Sequence, residues 1–394
     1  MFVSPVVLFA LAASGALPAC APVARSPHQS ERRSPGRSPS RDRVPVAWSE
    51  PVRGWPSQLG ADRNGVVVVS GGRYVSSFGP RAGTRQWETS VPGHLHPFLE
   101  PAISRRSVLV SAGDRFVSLD RADGRIRWEA PTGADVGAAA VALVPTRGVG
   151  TVAVTALDDG RLVGRDGVTG APTWSIAHDG SLDAHLAVDV ERGRVVAIWR
   201  TAHLATVRVF DAASGVLRWE QGVAPMTASP VVGSGLVIVA AGDGDYRSSV
   251  RAFGLADGAP RWTTRVAASF EADQLPGVAA DAATDDGVVA VQDHLGTVSL
   301  LDLSTGAVRW RTETRVPSLG GRVVVTPDSV VVRDEGRQLV ILDRARGQVR
   351  MRRTDPVGVP EGIVGVGERV LVAWRWTEPG RIDALEPDLS RSGP

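Results

Sequence analysis

Residues 302–310 read DLSTGAVRW: an Asp, a Gly four residues on, and a Trp four further. The spacing recurs in GPRAGTRQW (79–87), DRADGRIRW (120–128), DGVTGAPTW (166–174), DAASGVLRW (211–219), GLADGAPRW (254–262) and an eroded DRARGQVRM (343–351). Successive glycines lie 41, 46, 45, 43, 48 and 41 residues apart. A repeat of that period must be read before any single strand, because it sets the architecture.

Each copy sits between two β-like runs, as VSLLD (298–302) precedes DLSTGAVRW. Upstream lies a Val-rich run such as VVVVS (66–70) or LVIVAAG (236–242). Short runs of period two with Gly and Asp turns predict antiparallel meanders, and helical periodicity is absent beyond the first residues. Four such strands in about 44 residues make a propeller blade. Within the motif, Asp120, Asp166, Asp211, Asp302 and Asp343 suit the start of a turn. Gly124, Gly170, Gly215, Gly306 and Gly347 suit its positive-φ position. Trp87, Trp128, Trp174, Trp219, Trp262 and Trp310, with Met351 in the eroded copy, then fall on the outermost strand and pack against the next blade.

The fold predicted is all-β, an eight-bladed propeller over residues 45–388, with seven blades the alternative. Asp383 stands 40 residues after Asp343, at the place of an eighth motif whose Trp strand is missing. PVAWSEPV (45–52) has the register of QWETSVPG (86–93), with Trp48 39 residues before Trp87. The N-terminal strand is therefore expected to complete the last blade and remove the open edges of the ring.

These D-x-x-x-G-x-x-x-W units resemble the repeats of the pyrroloquinoline quinone (PQQ)-like propeller family, and less so WD repeats, since no blade ends on Trp-Asp. That family includes quinoprotein dehydrogenases, the lipoprotein component B of the outer-membrane β-barrel assembly machine, and many bacterial surface lipoproteins. The resemblance implies, for its catalytic members, PQQ over the axis between a Trp floor and a disulfide of adjacent cysteines. Ca²⁺ on Glu, Asn and Asp ligands and an Asp base complete such a site. This chain has one cysteine, Cys20, and one asparagine, Asn64. Neither that disulfide nor an Asn-rich ligand set is available, so no cofactor is expected.

MFVSPVVLFALAASGALPAC is an apolar run of signal-peptide length, too short for a comfortable spanning helix. LPAC (17–20) resembles a bacterial lipobox, which predicts a signal peptide at 1–19 and a lipidated Cys20 anchoring the protein outside the cytoplasm. Ordinary secretion, with cleavage at ACA (19–21), is the alternative. Residues 20–44 form a Pro-, Ser- and Arg-rich tether with little to bury, and 389–394 a disordered tail. Residues 25–43 carry six Arg against Glu31 and Asp42. The rest of the chain then has 38 basic and 40 acidic side chains, and a near-neutral body without a basic stripe argues against nucleic acid.

Chemistry outside the repeat is sparse. His94 and His96 point the same way on an extended strand, and GDGDYRSS (242–249) holds two carboxylates in a turn without Ca²⁺-loop spacing. There is no GxSxG, HExxH, P-loop or CxxC. The starts of the inner strands are expected to place His96, Glu100, Asp183, His185, Glu271, Asp273 and Glu361 at the channel mouth. Such a ring would suit a cation or polar ligand; a water-filled channel tolerating any polar residue is the plainer reading, and no metal is expected. The function expected is a non-enzymatic, monomeric, lipid-anchored scaffold binding a cell-envelope protein or polymer. The alternatives are a PQQ- or metal-binding quinoprotein-like enzyme and an outer-membrane-assembly-type factor.

Overall fold

The computed structural model describes residues 45–387, except 96–98, 132–139, 149, 158, 178–180, 183–185, 202, 225, 228, 243–246, 269–276, 282–286, 294–295, 315–322, 334–337, 356–357, 376 and 378. The side chains of 181–182, 226–227, 247–248, 267–268 and 277–281 are likewise outside the description. The expected signal peptide, the tether with Cys20 and the 389–394 tail therefore lie outside the described residues.

Eight antiparallel sheets follow one another along the chain. Blade 1 runs from its inner strand Pro56–Asp62 through Gly65–Ser70 and Tyr74–Phe78 to its outer strand Arg85–Ser90. Blades 2 to 7 have outer strands Ile126–Pro131, Pro172–Ala177, Leu217–Val223, Pro260–Ala268, Val308–Glu313 and Val349–Thr354. Blade 8 is composite: Val359–Val366, Arg369–Arg375 and Gly380–Leu385 come from the C-terminus, and Val46–Val52 adds the outer strand. The inner strands touch their neighbours in succession, and blade 8 returns to blade 1, so the ring is closed. It is an eight-bladed β-propeller, with no helix among the described residues.

The sequence pattern explains the layering. Second strands such as Gly65–Ser70 and Ser107–Ala112 are buried throughout because a blade covers each face, so they read as unbroken apolar runs. Outer strands alternate, as in Leu217–Val223, where Trp219 is buried between exposed Arg218 and Glu220 and Val223 is buried after exposed Gly222. The core is divided to match: each of eight hydrophobic clusters joins two consecutive blades. The cluster between blades 8 and 1 contains Trp48, Val52, Leu59 and Val66 with Leu371 and Ile382. Apolar burial at about 25 cal/mol per Å² thus acts between blades, and no central core exists to do it instead.

Candidate functional site

In DLSTGAVRW the Asp302 carboxylate accepts bonds from the Ser304 and Thr305 amides at 3.0 Å each and from both hydroxyls. The Ser304 hydroxyl, the Arg309 guanidinium at 3.0 Å and the Thr305 groups hold its pKa well below the usual carboxylate range. The Gly306 amide closes the turn on the Asp302 carbonyl at 2.8 Å, and Gly306 has φ +71°. One register shift follows in the strand pair, which turns Trp310 toward the next blade.

The seams are built from the same parts. Trp310 Nε1 donates to the Arg344 carbonyl at 2.7 Å, just after the motif Asp of blade 7. Trp48, Trp87, Trp128, Trp174, Trp219 and Trp262 donate in turn to the carbonyls of Pro80, Arg121, Gly167, Ala212, Leu255 and Leu303, at 2.8–3.3 Å. Each indole lies on the next blade's motif glycine, where an added Cβ would meet the ring at 2.5–2.7 Å. Those glycines, Gly83, Gly124, Gly170, Gly215, Gly258, Gly306 and Gly347, also have φ between +68° and +75°. The glycine is needed twice, for its backbone and for the indole above it.

Blade 8 departs from the eighth motif read from the sequence. Register pairs Trp48 with Ala384, as it pairs Trp310 with Leu300, so the motif position falls on Glu386 and not on Asp383. Glu386 pairs with Arg369 at 3.0 Å, whereas Asp383 is buried in the preceding strand. There it accepts from the Ser49 hydroxyl at 2.7 Å and Arg353 of blade 7 at 2.9 Å, and Arg381 forms an ion pair with it at 3.0 Å. Arg353 and Arg381 flank the buried Trp374 ring at 5.4 and 5.5 Å. Met351, the apolar member of this seam, has no N–H to donate and packs with Ile363, Trp374 and Leu385. Seven seams use a Trp on a Gly; the seam between blades 7 and 8 uses methionine and a charge network.

The residues expected at the channel mouth divide. His96, Asp183, His185, Glu271 and Asp273 lie outside the described residues. Glu100 lines a cavity of about 190 Å³ among the inner strands of blades 2, 3 and 4, with Leu99, Ile103, Val141, Leu186 and Val188. Glu361 lies on the inner strand of blade 8, where Arg375 reaches its carboxylate at 3.5 Å and Arg333 donates to its carbonyl. Arg375 also covers the Trp55 ring at 5.8 Å, and Trp55 is 49% exposed. Glu100 and Glu361 are thus held in different surroundings with blade 1 between them. Among the described residues no three His, Cys, Asp or Glu converge as metal ligands.

Two features were missed in the sequence. The Arg before the Trp pairs with its motif Asp, Arg127 with Asp120, Arg218 with Asp211 and Arg309 with Asp302, as Arg350 before Met351 does with Asp343, and the recurring R-W pair was the available signal. The Trp55–Arg375–Glu361 group has no local motif, since Glu361 and Arg375 meet across a blade 8 hairpin and Trp55 joins them from blade 1 when the ring closes. PQQ does not fit the residues present in the way the resemblance would hold it: Cys20 is the single cysteine, so no disulfide of adjacent cysteines can form, and of the described tryptophans seven are committed to seams, Trp199 and Trp374 are buried, and the exposed Trp55 carries Arg375 over its ring.

BamB from Moraxella catarrhalis superposes with a TM-score of 0.66 at 16% identity, covering 87% of this chain and 97% of that one. The computationally designed Ika8 protein gives 0.64 at 13%, covering 86% and 98%. The quinohemoprotein alcohol dehydrogenase of Comamonas testosteroni gives 0.60 at 13%, covering 87% and 76%. These identities speak for the fold alone. A serine/threonine-protein kinase, AfsK of Streptomyces griseus, is 32% identical over 192 residues, which are 46% of this chain and only 22% of the kinase. The family described as outer membrane protein assembly factor BamB matches residues 71–201 and again 188–373, more than half of the sequence, and the chain belongs to that family.

Proposed function

We propose that the protein is an exported, lipid-anchored propeller that binds a protein or polymer of the cell envelope and performs no catalysis. The observation carrying this reading is membership of the BamB family over residues 71–373 together with the place of Cys20, at the end of an apolar segment. The motif side chains support it. The Asp, Arg, Gly and Trp that recur in the blades are spent on turns and seams, so recognition belongs to the parts that do not repeat. Among the described residues no helix is long and apolar enough to cross a membrane. Attachment in this reading comes from the lipidated Cys20 with the basic tether beside it, each Arg adding on the order of 1 kcal/mol near an anionic surface.

Fractionation tests the anchor: the unmodified chain should sediment with membranes and Cys20→Ser should release it. Recovery of both forms in the soluble fraction would overturn the lipoprotein reading. Crosslinking of the anchored protein in its own envelope should recover a specific partner, and a null result would remove the scaffold role. A second reading, a sensory propeller for a small ligand, is favoured by the kinase match, which places a similar segment in a signalling protein. Thermal stabilisation by an envelope metabolite without any crosslinked protein partner would select it.

A further inference from the structure

A propeller presents the free edge of each outer strand to solvent, and exposed edges invite pairing unless charge or proline blocks them. Seven of the eight edges here carry that protection. The outer strands contain Arg85 and Glu88, Arg127 and Glu129, Arg218 and Glu220, Arg261 and Arg265, three charges in Val308–Glu313, three arginines in Val349–Thr354, and Glu50 with Pro51 in Val46–Val52. Blade 3 is the exception in charge, and its one proline, Pro172, stands at the first residue and leaves Thr173–Ala177 free of both. Its outer strand Pro172–Ala177 reads PTWSIA, and no charge occurs anywhere from Gly167 to Ala177.

The surroundings are equally unprotected. Thr173, Ser175 and Ala177 are exposed, and Trp174 and Ile176 are half-buried against the next blade. Val168, in the turn leading into this strand, is 65% exposed, more than any other large apolar side chain described. Trp174 seats on Gly215, and the residues directly after that glycine, Val216 and Leu217, are exposed at 53% and 40%. One uncharged edge therefore lies beside exposed apolar side chains of blades 3 and 4.

We propose that this edge pairs with the same edge of a second copy, antiparallel and about a two-fold axis through Ser175. The occupant follows from charge. A strand without charge meets its own copy at no electrostatic cost, whereas the blade 7 edge would set arginine against arginine. It also follows from register. Centred on Ser175, the pairing sets Trp174 against the partner's Ile176 and Thr173 against the partner's Ala177, each twice. Aromatic against β-branched is a favourable cross-strand pair, and the two-fold places the smaller Ser175 on the axis. This departs from the monomer expected from the sequence, and it holds for either reading of function.

Cysteine crosslinking decides it, because opposed residues of an antiparallel pair fall within disulfide reach. The full chain carrying Cys20→Ser and Ser175→Cys should convert under mild oxidation to a species of twice the chain mass. Thr263→Cys in the same background is the control, since Thr263 is exposed on the blade 5 edge between Arg261 and Arg265. Adding Thr173→Lys should abolish the crosslink at 175 while the circular dichroism of the fold is retained. Sedimentation of the unsubstituted chain should show a concentration-dependent dimer. Equal reaction at 175 and 263, persistence of the crosslink with Thr173→Lys, or a monomer at every concentration would overturn the pairing.

Discussion

Gly306 carries two constraints that separate cleanly by substitution. Its φ of +71° penalises any side chain, and a Cβ there would come within 2.5 Å of the Trp262 ring. Gly367 has φ +57° with open space around it. Gly367→Ala should cost about 1 kcal/mol from the backbone alone. Gly306→Ala should cost about 3 kcal/mol, since the indole must also be displaced. Denaturant unfolding measures both, and equal losses would show that the indole does not rest on the glycine. Asp211 makes a second residue-scale prediction. Burial opposes its ionisation, but Arg218, the Ser214 hydroxyl and amide, and Arg194 together lower its pKa to about 2. A carboxylate lowered from about 3.9 contributes stability that is present above pH 4 and lost as pH falls through 2. The stability difference between the unsubstituted chain and Asp211→Asn should therefore narrow between pH 4 and pH 2; a constant gap would refute the assignment.

A hairpin and the blade beside it form the next scale. Trp310→Phe keeps an aromatic ring on Gly347 but removes the indole's bond to the Arg344 carbonyl, a loss of about 1–2 kcal/mol. Trp310→Ala should cost about 3–5 kcal/mol, because the seam empties. Met351→Trp should not stabilise, since the motif place after Glu386 carries serine at 390 where the other blades have glycine; a gain in unfolding midpoint would contradict that. This is also the scale at which the sequence was most readable. Asp, Gly and Trp recur at fixed spacing because each answers the same local demand in every blade. The Arg before the Trp answers such a demand too, yet arginine is frequent enough in this chain for its pairing with Asp120 or Asp302 to pass unnoticed. Glu386 escaped because a longer acid took the motif place without a following glycine, and Asp383, three residues earlier, imitated it.

The ring as a whole has one seam unlike the rest. Between blades 7 and 8, Asp383 collects Ser49, Arg353 and Arg381 in a buried site where other seams have an indole on a glycine. Removing one member of a buried charge network leaves the others uncompensated, so Asp383→Ala should cost about 3–5 kcal/mol. Unfolding in urea gives the number, and a loss below that of Trp310→Phe would mean the network adds little. The candidate mouth was less legible than this frame. Distance from a Trp marks Glu100 and Glu361, which locates the strand but not the neighbours that folding supplies, an aliphatic wall from blades 3 and 4 for one and Arg375 across the hairpin for the other. The uncharged edge of blade 3 was likewise visible as letters, and it gained meaning only once the strand was known to face outward. Closure also sets an order in time. Ser49 and Asp383 are 334 residues apart, so the first strand of the propeller to emerge during synthesis is the last to find its partner. Every intermediate short of the full chain carries an open circle with two raw ends, and the time to wait grows with each blade added between them.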